Sequence, residues 1–297
     1  MFPLNKIFRS ELSETIFNKK YSHTGCETWE ALSDTVVDDV CVTVPLSVFS
    51  KEDRDQLKTY IREMKFIPGG RYLYYAGKPV KFFNNCYLLK AESDTREDWA
   101  ELSKKSESCL STGGGIGVDY SVYRPRGSLL KRTGGLASGP IPKIQMINEI
   151  GRAVMQGASR RSAIYASLNW KHDDIPEFLR VKDWHSMRIP GTDKTLADVK
   201  NIDFNYPAPL DMTNISINYD TSWLMNYMNK NDFGETFLQN VTQALKTGEP
   251  GFSFNFFDKE NETLRNACTE VTSCDDSDVC NLGSINLSRI SSISELA

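Results

Sequence analysis

The sequence predicts an α/β fold built on a parallel sheet. From about residue 82 onward, strand-like and helix-like stretches alternate, and helices between strands imply parallel pairing. The intervening stretches carry apolar residues at helical spacing, as at Ile144, Ile147, Ile150 and Val154. Glycine and proline mark the breaks, as in Gly248-Glu249-Pro250-Gly251.

The elements follow in order. Residues 1 to about 49 are mixed and polar, an irregular or helical lead-in. Ser50 is placed to cap a helix whose first turn holds Glu52 and Asp53, where the helix dipole favours acid. Leu57, Tyr60, Ile61 and Met64 recur along it, and Pro68-Gly69-Gly70-Arg71 is expected to end it. Residues 82–89 read as a first strand carrying Cys86, 95–110 as a helix and 116–122 as a second strand. Pro142, at a first-turn position, opens the next helix, and 163–168 is a third strand. Residues 175–181 begin a short helix and 214–219 form a fourth strand. Residues 221–228 and 233–245 are helical, 252–256 is a fifth strand and 283–287 a sixth. The expected division is a helical lead-in over 1–65 and an α/β body over 66–297.

A chain of 297 residues, 40% hydrophobic, can bury a sizeable core. A net charge of −4 gives no reason to expect direct nucleic-acid binding. Pairs such as Lys131-Arg132 and Arg160-Arg161 suit a solvated face or the phosphates of a small ligand. No apolar run approaches the roughly twenty residues that span a bilayer, so no membrane role is expected. Seven cysteines, an odd number, without a signal-peptide core point to a reducing cytoplasm. Three histidines and the spacing of Cys268, Cys274 and Cys280 argue against zinc, and no metal site is expected.

Near the end of the chain, Asn266-Ala267-Cys268-Thr269-Glu270 sets an amide, a thiol and a carboxylate at alternating positions. In an extended segment all three would project from one face. Alone, the pentapeptide reads as a loop with a small buried thiol. Twelve positions beyond Cys268, Cys280 precedes Asn281-Leu282-Gly283-Ser284, a strand-like run. Gly113 to Gly117 allow close backbone approach, but their spacing is neither a dinucleotide fingerprint nor a P-loop.

These residues resemble ribonucleotide reductase large subunits, in which Asn-x-Cys-x-Glu precedes a Cys-Asn-Leu-x-Ser-type strand. The resemblance reaches back to about Pro68. It includes Asn85-Cys86, Gly114-Gly115-Ile116-Gly117, Arg124-x-x-Gly127-Ser128, Gln156-Gly157 with Arg160-Arg161, and Trp170-x-His172-x-Asp174-Ile175-x-Glu177-Phe178-Leu179. Each match is weak; all of them in order are specific. Pro68-Gly69-Gly70-Arg71 and Ala76-Gly77 resemble the cobalamin-dependent class, or related phage-type enzymes, more than the iron-dependent one.

The resemblance implies a fold: the first half of a ten-stranded α/β barrel, a finger loop carrying the radical cysteine, and the start of the second half. It implies an activity, the thiyl-radical reduction of ribonucleotides to deoxyribonucleotides for DNA synthesis, in the N-terminal part of a catalytic subunit. By motif match Cys268 is the thiyl, Glu270 the general base and Asn266 the amide that orients substrate. Cys86 and Cys280 are the reducing pair that becomes a disulfide. Asn85, Gly114, Gly115 and Arg161 fall at substrate positions, although relatives carry a small polar residue where Asn85 stands. Asp94, Arg124, Gln156 and Arg160 match effector positions, with 133–140 in or near the first specificity loop and 156–161 in the second. Cys26, Cys41, Cys109 and Cys274 have no assigned role.

The implied radical source is adenosylcobalamin or a separate metal-containing subunit. The implied partners are the ribonucleotide, a dNTP effector, a thioredoxin- or glutaredoxin-type reductant, a second copy in a homodimer, and a C-terminal half that completes the barrel. The chain alone is expected to be inactive, because six strands do not close a ten-stranded barrel. The lead-in is too short for an ATP-binding activity domain, so no overall-activity switch is expected. One rival reading is a non-catalytic nucleotide-binding fragment that assembles with or regulates a full-length reductase; the retained Asn266, Cys268 and Glu270 argue against it. A glycyl-radical barrel enzyme is disfavoured by Arg160, Arg161 and the Cys86/Cys280 pair.

Overall fold

The computed structural model of the chain describes residues 7–154 and 162–296. The chain divides into two compact units, Met1–Asn85 with Asn281–Ala297, and Cys86–Cys280. The sequence reading set a single boundary after residue 65.

The first unit opens with α1 (Glu11–Ile16), α2 (Trp29–Cys41) and α3 (Lys51–Arg62). Each starts where a hydroxyl satisfies an orphan backbone donor: Ser10, Thr28 and Ser50 accept from the amide three residues on. At Ser50 the expected cap is a full capping box, with Asp53 reaching back to the Ser50 amide. Leu32, Val36 and Val37 of α2 are buried with Trp29, Ile61 and Leu73. Arg62 forks onto both oxygens of Asp34 at 2.8 and 2.6 Å, and the Trp29 indole donates to the Ile61 carbonyl at 2.9 Å. Pro68-Gly69-Gly70-Arg71 does more than end a helix. Phe66–Pro68 is a short strand, β1, and a new helix, α4, runs Gly70–Tyr75. Gly69 is required by contact, since a Cβ there would lie 2.8 Å from the Leu282 carbonyl oxygen that its own amide bonds.

The second unit starts with β2 (Cys86–Leu89), α5 (Arg96–Ser111), β3 (Gly115–Asp119), α6 (Ile141–Ala153) and β4 (Ile164–Asn169). It continues with α7 (Ile175–Phe178), α8 (Leu196–Ile202), β5 (Thr213–Asp220), α9 (Thr221–Lys230), α10 (Glu235–Thr247) and β6 (Gly251–Asn255). Strands β2 to β6 pair in sequence order, every pair parallel, as the first half of the α/β barrel requires. Side chains alternate between two faces. One face is apolar: Ile116, Val118, Ile164, Ala166, Leu168, Ile215 and Ile217 pack with Leu102 and Leu110 of α5, Ile144 and Ile147 of α6, and Phe178 of α7. The alternate positions are small or polar: Gly115, Gly117, Asp119, Tyr165, Ser167, Ser216, Asn218, Ser253 and Asn255. Asn218 donates to Ser167 across neighbouring strands at 3.0 Å, which confirms a shared face.

Beyond β6 the chain forms a hairpin of β7 (Leu264–Arg265) and β8 (Thr272–Ser273), then β9 (Asp278–Cys280). β9 pairs antiparallel with β2 and is the sixth strand of the sheet. The run expected as a sixth barrel strand is instead β10 (Gly283–Ile285), which pairs antiparallel with β1 in the first unit. Its three residues are exposed, unlike those of a barrel strand, and the bare Gly283 backbone admits the Phe66 ring. A final turn of helix, α11, spans Ile293–Leu296.

Ile217 is wholly buried at the centre of the apolar face. Ile217→Ala is expected to cost about 2–5 kcal/mol of stability, measured by urea unfolding followed by circular dichroism; a loss below about 1 kcal/mol would contradict this packing.

Candidate active site and effector cleft

The trio Asn266, Cys268 and Glu270 sits in the loop between β7 and β8, and the loop is a turn rather than an extended strand. The Thr269 amide donates to the Asn266 carbonyl at 3.0 Å, and Asn266 Oδ1 accepts from the Val271 amide at 3.1 Å. Thr269 has φ +71°, left-handed and unusual for a β-branched residue. The alternation argument for a common face therefore does not apply. The turn separates the groups: Asn266 is wholly buried, whereas Cys268 and Glu270 are exposed.

Cys86 and Cys280 are Cα partners on β2 and β9. Opposed residues in an antiparallel pair have Cα atoms about 4.5–5.5 Å apart, within the span a disulfide bridges. Both thiols are free and buried, in a small cluster with Ala267 and Val271. The turn reaches them: Cys280 Sγ lies 3.6 Å from Glu270 Oε1. Burial pushes the Cys280 thiol up to about 11, reinforced by Cys86 and the Glu270 carboxylate. Burial also raises Cys86, opposed by the backbone of Ala267 and the amide of Asn266. Both are therefore neutral thiols at physiological pH.

The glycines leading into and along β3 make this arrangement possible, using the chain's own residues. A Cβ on Gly114 would meet the Tyr87 ring at 2.5 Å; one on Gly115 would meet the Ala267 methyl at 2.7 Å and Cys86 Sγ at 3.3 Å. A Cβ on Gly117 would lie 1.8 Å from the Arg265 carbonyl oxygen. Gly114 and Gly115, expected at substrate positions, are thus packed against Tyr87 and the turn. Gly117 was read as part of the glycine run but given no site role, and Arg265 was not singled out from the sequence. The signal for Gly117 was there, in an alternating Gly-x-Gly on a strand; Arg265 carried none. Asn85 belongs to the first unit, where its Oδ1 is buried near Gly69. Arg161, Gln156 and Arg160 lie outside the described residues. No three His, Cys, Asp or Glu side chains gather as a metal site among the described residues.

Asp94 and Arg124 do come together. The Arg124 guanidinium pairs with Asp94 Oδ2, and its backbone amide donates to the same oxygen at 3.2 Å. They line a cleft of about 690 Å³ shared with Lys131, Arg132, Lys143 and Trp99. The hairpin carrying Lys131 and Arg132 is closed by amide bonds from Ala137 to Ser128 and from Gly127 to Ala137. His172 and Asp174 fasten its surroundings: Asp174 accepts from the Arg126 amide at 2.9 Å and His172 Nε2 bonds the Tyr123 carbonyl at 2.7 Å. Gly139, φ +79°, has no room for a Cβ against Asp174. The cleft is rich in cations and suits a phosphorylated ligand.

Known proteins agree with this architecture. Residues 84–200 match the family model described as ribonucleotide reductase, barrel domain. A vitamin B12-dependent ribonucleoside-diphosphate reductase of Thermoplasma acidophilum is 27% identical over 249 residues, covering 79% of this chain and 31% of that protein. One from Mycobacterium tuberculosis H37Rv is 27% identical over 253 residues, covering 81% and 34%. Among solved structures, the Actinobacillus ureae class Id ribonucleotide reductase alpha subunit superposes with a TM-score of 0.70 at 18% identity, over 94% of this chain and 49% of that one. The chain spans about a third of the length of the curated relatives it matches.

Because the Cys280 thiol ionises only near pH 11, its alkylation by iodoacetamide is expected to rise roughly tenfold per pH unit from 7 to about 10. Peptide mass spectrometry checks this, and a rate that levels off near pH 8.5 would show an unperturbed thiol.

Proposed function

We propose that this chain, a relative of ribonucleotide reductase large subunits, carries the reducing centre of such an enzyme and reduces ribonucleotides to deoxyribonucleotides. The observation that carries the reading is the register of Cys86 against Cys280 beneath a turn that holds Asn266, Cys268 and Glu270.

Each residue then has a task. Cys268, exposed at the tip of the turn, is the sulfur that can receive a radical from outside, and as a thiyl it takes the 3′ hydrogen of the ribose. Glu270 accepts the 3′ hydroxyl proton, and Asn266, buried and holding the Val271 amide, keeps the turn in shape to orient the sugar. The 2′ hydroxyl leaves as water. Cys86 and Cys280 supply two electrons and two hydrogens and close to a disulfide, so the net change is ribonucleotide plus dithiol to deoxyribonucleotide, disulfide and water. An external thioredoxin- or glutaredoxin-type dithiol restores the pair. The exposure of Cys268 fits a radical delivered by adenosylcobalamin, which when bound supplies the oxidising radical. The B12-dependent names of two relatives support that source.

The cleft at Asp94 and Arg124 is the regulatory site in this reading, taking a deoxynucleotide whose phosphates draw on Arg124, Lys131 and Arg132. The Arg124–Asp94 pair presets the guanidinium before ligand arrives.

Cys268→Ser is expected to abolish turnover while leaving ribonucleotide binding intact, because an alcohol O–H bond is too strong to serve in the radical step. The check is a turnover assay beside equilibrium binding in the full enzyme; appreciable turnover by the variant would remove Cys268 from its role. Arg124→Ala is expected to weaken deoxynucleotide binding by about 1.5–3 kcal/mol, roughly 10- to 150-fold in Kd. Calorimetry reads this directly, and an unchanged Kd would move the regulatory site elsewhere.

A further inference from the structure

Arg265 stands immediately before Asn266 and is 7% exposed. Its guanidinium is spent on neutral oxygens. Nη2 donates to Asn255 Oδ1 at 2.5 Å and the Phe254 carbonyl at 3.4 Å, both on β6. Nη1 donates to the Glu262 and Leu264 carbonyls at 2.7 and 3.2 Å, within its own loop. The backbone of the same residue lies on β3, where the Gly117 position has no space for even a methyl group. One residue thus fixes the entry of the Cys268 turn to two strands, β3 and β6, that β4 and β5 separate in the sheet. Just beyond it, Thr269 holds a left-handed conformation. Such a conformation persists only where its surroundings enforce it.

We propose that Arg265 is a positioning residue for Cys268: its side chain on β6 and its backbone on Gly117 clamp the base of the turn, so that the thiol stands at one fixed height above the sheet. The kinetic consequence rests on the radical reading above, because hydrogen abstraction needs the sulfur within near-attack distance of the ribose, and a misplacement of about 1 Å costs on the order of 100-fold. The fork geometry is what matters. Lysine retains the charge but reaches only one direction at a time, so it cannot hold β6 and the loop carbonyls together.

The test uses Arg265→Ala, Arg265→Lys and Gly117→Ala in the full, turnover-competent enzyme, with two readouts. In steady-state kinetics each variant is expected to lose about 100-fold in kcat with KM changed by less than about threefold, the pattern of lost positioning rather than lost binding. In hydrogen–deuterium exchange, the amides of 266–271, Val271 above all, are expected to exchange at least about tenfold faster, while those of β4 and β5 keep their protection. Wild-type protection of 266–271 in both Arg265 variants overturns the clamp, whatever the kinetics show. Loss of protection confined to the turn sustains the clamp even in an enzyme that never reduces a ribonucleotide, an outcome that would overturn the activity reading alone. Should Arg265→Ala also lose protection in β4 and β5, it has unfolded, and Arg265→Lys decides the question by the same two readouts.

Discussion

Everything around the Cys86/Cys280 pair depends on bare backbone at two positions of one strand. Gly115 and Gly117 present no side chain on the polar face of β3, and the turn residues Ala267 and Arg265 occupy the space they leave. A strand with ordinary side chains would lift the loop by a few ångströms and carry Asn266 and Cys268 away from Cys86. The strand loses some intrinsic stability by using glycine, and parallel pairing on both sides restrains the backbone that results.

The two faces of the sheet divide the labour. The apolar face meets α5, α6 and α7 in a dense core that fixes strand positions. The polar face carries the loop and its hydrogen-bonding residues. Because period-two alternation assigns every residue to one face, a register slip of one residue would bury the serines and asparagines among isoleucines. This makes the register of β3, β4 and β5 unusually well determined, and with it the height of anything resting on them.

Much of this was legible in the sequence. Helix-period and strand-period stretches located the five parallel strands to within a few residues, and Ser50 announced a cap that the structure completes with Asp53. The pairing of Cys86 with Cys280 was an expectation of the family resemblance, and the strand register sets the two residues opposite each other. Other features were hidden because they depend on contacts distant in sequence. Nothing local shows that 283–285 pairs with 66–68 rather than with the barrel, because a short, alternating, turn-flanked run suits either partner. Nor does Asn-x-Cys-x-Glu reveal a turn, since the left-handed Thr269 belies its β-branched preference. The glycine run suggested a close-approaching ligand, and the approaching group is the chain itself. Arg265 carried no local signal; only the fold supplies the oxygens that surround it.

Cys86 and Cys280 are also the first and last residues of the second unit. A bond between them would tie the unit into a single covalent ring, joined at two strands already hydrogen-bonded to each other. By the chain-entropy account, closing a loop this long withdraws about 5 kcal/mol of freedom from the unfolded chain, while the native backbone need not move. With such a bond, redox state and heat resistance would be coupled: the oxidised form would be the harder to melt, and its reduction would unlock the ring. A pool of such molecules would grow more fragile as its reductant supply improves.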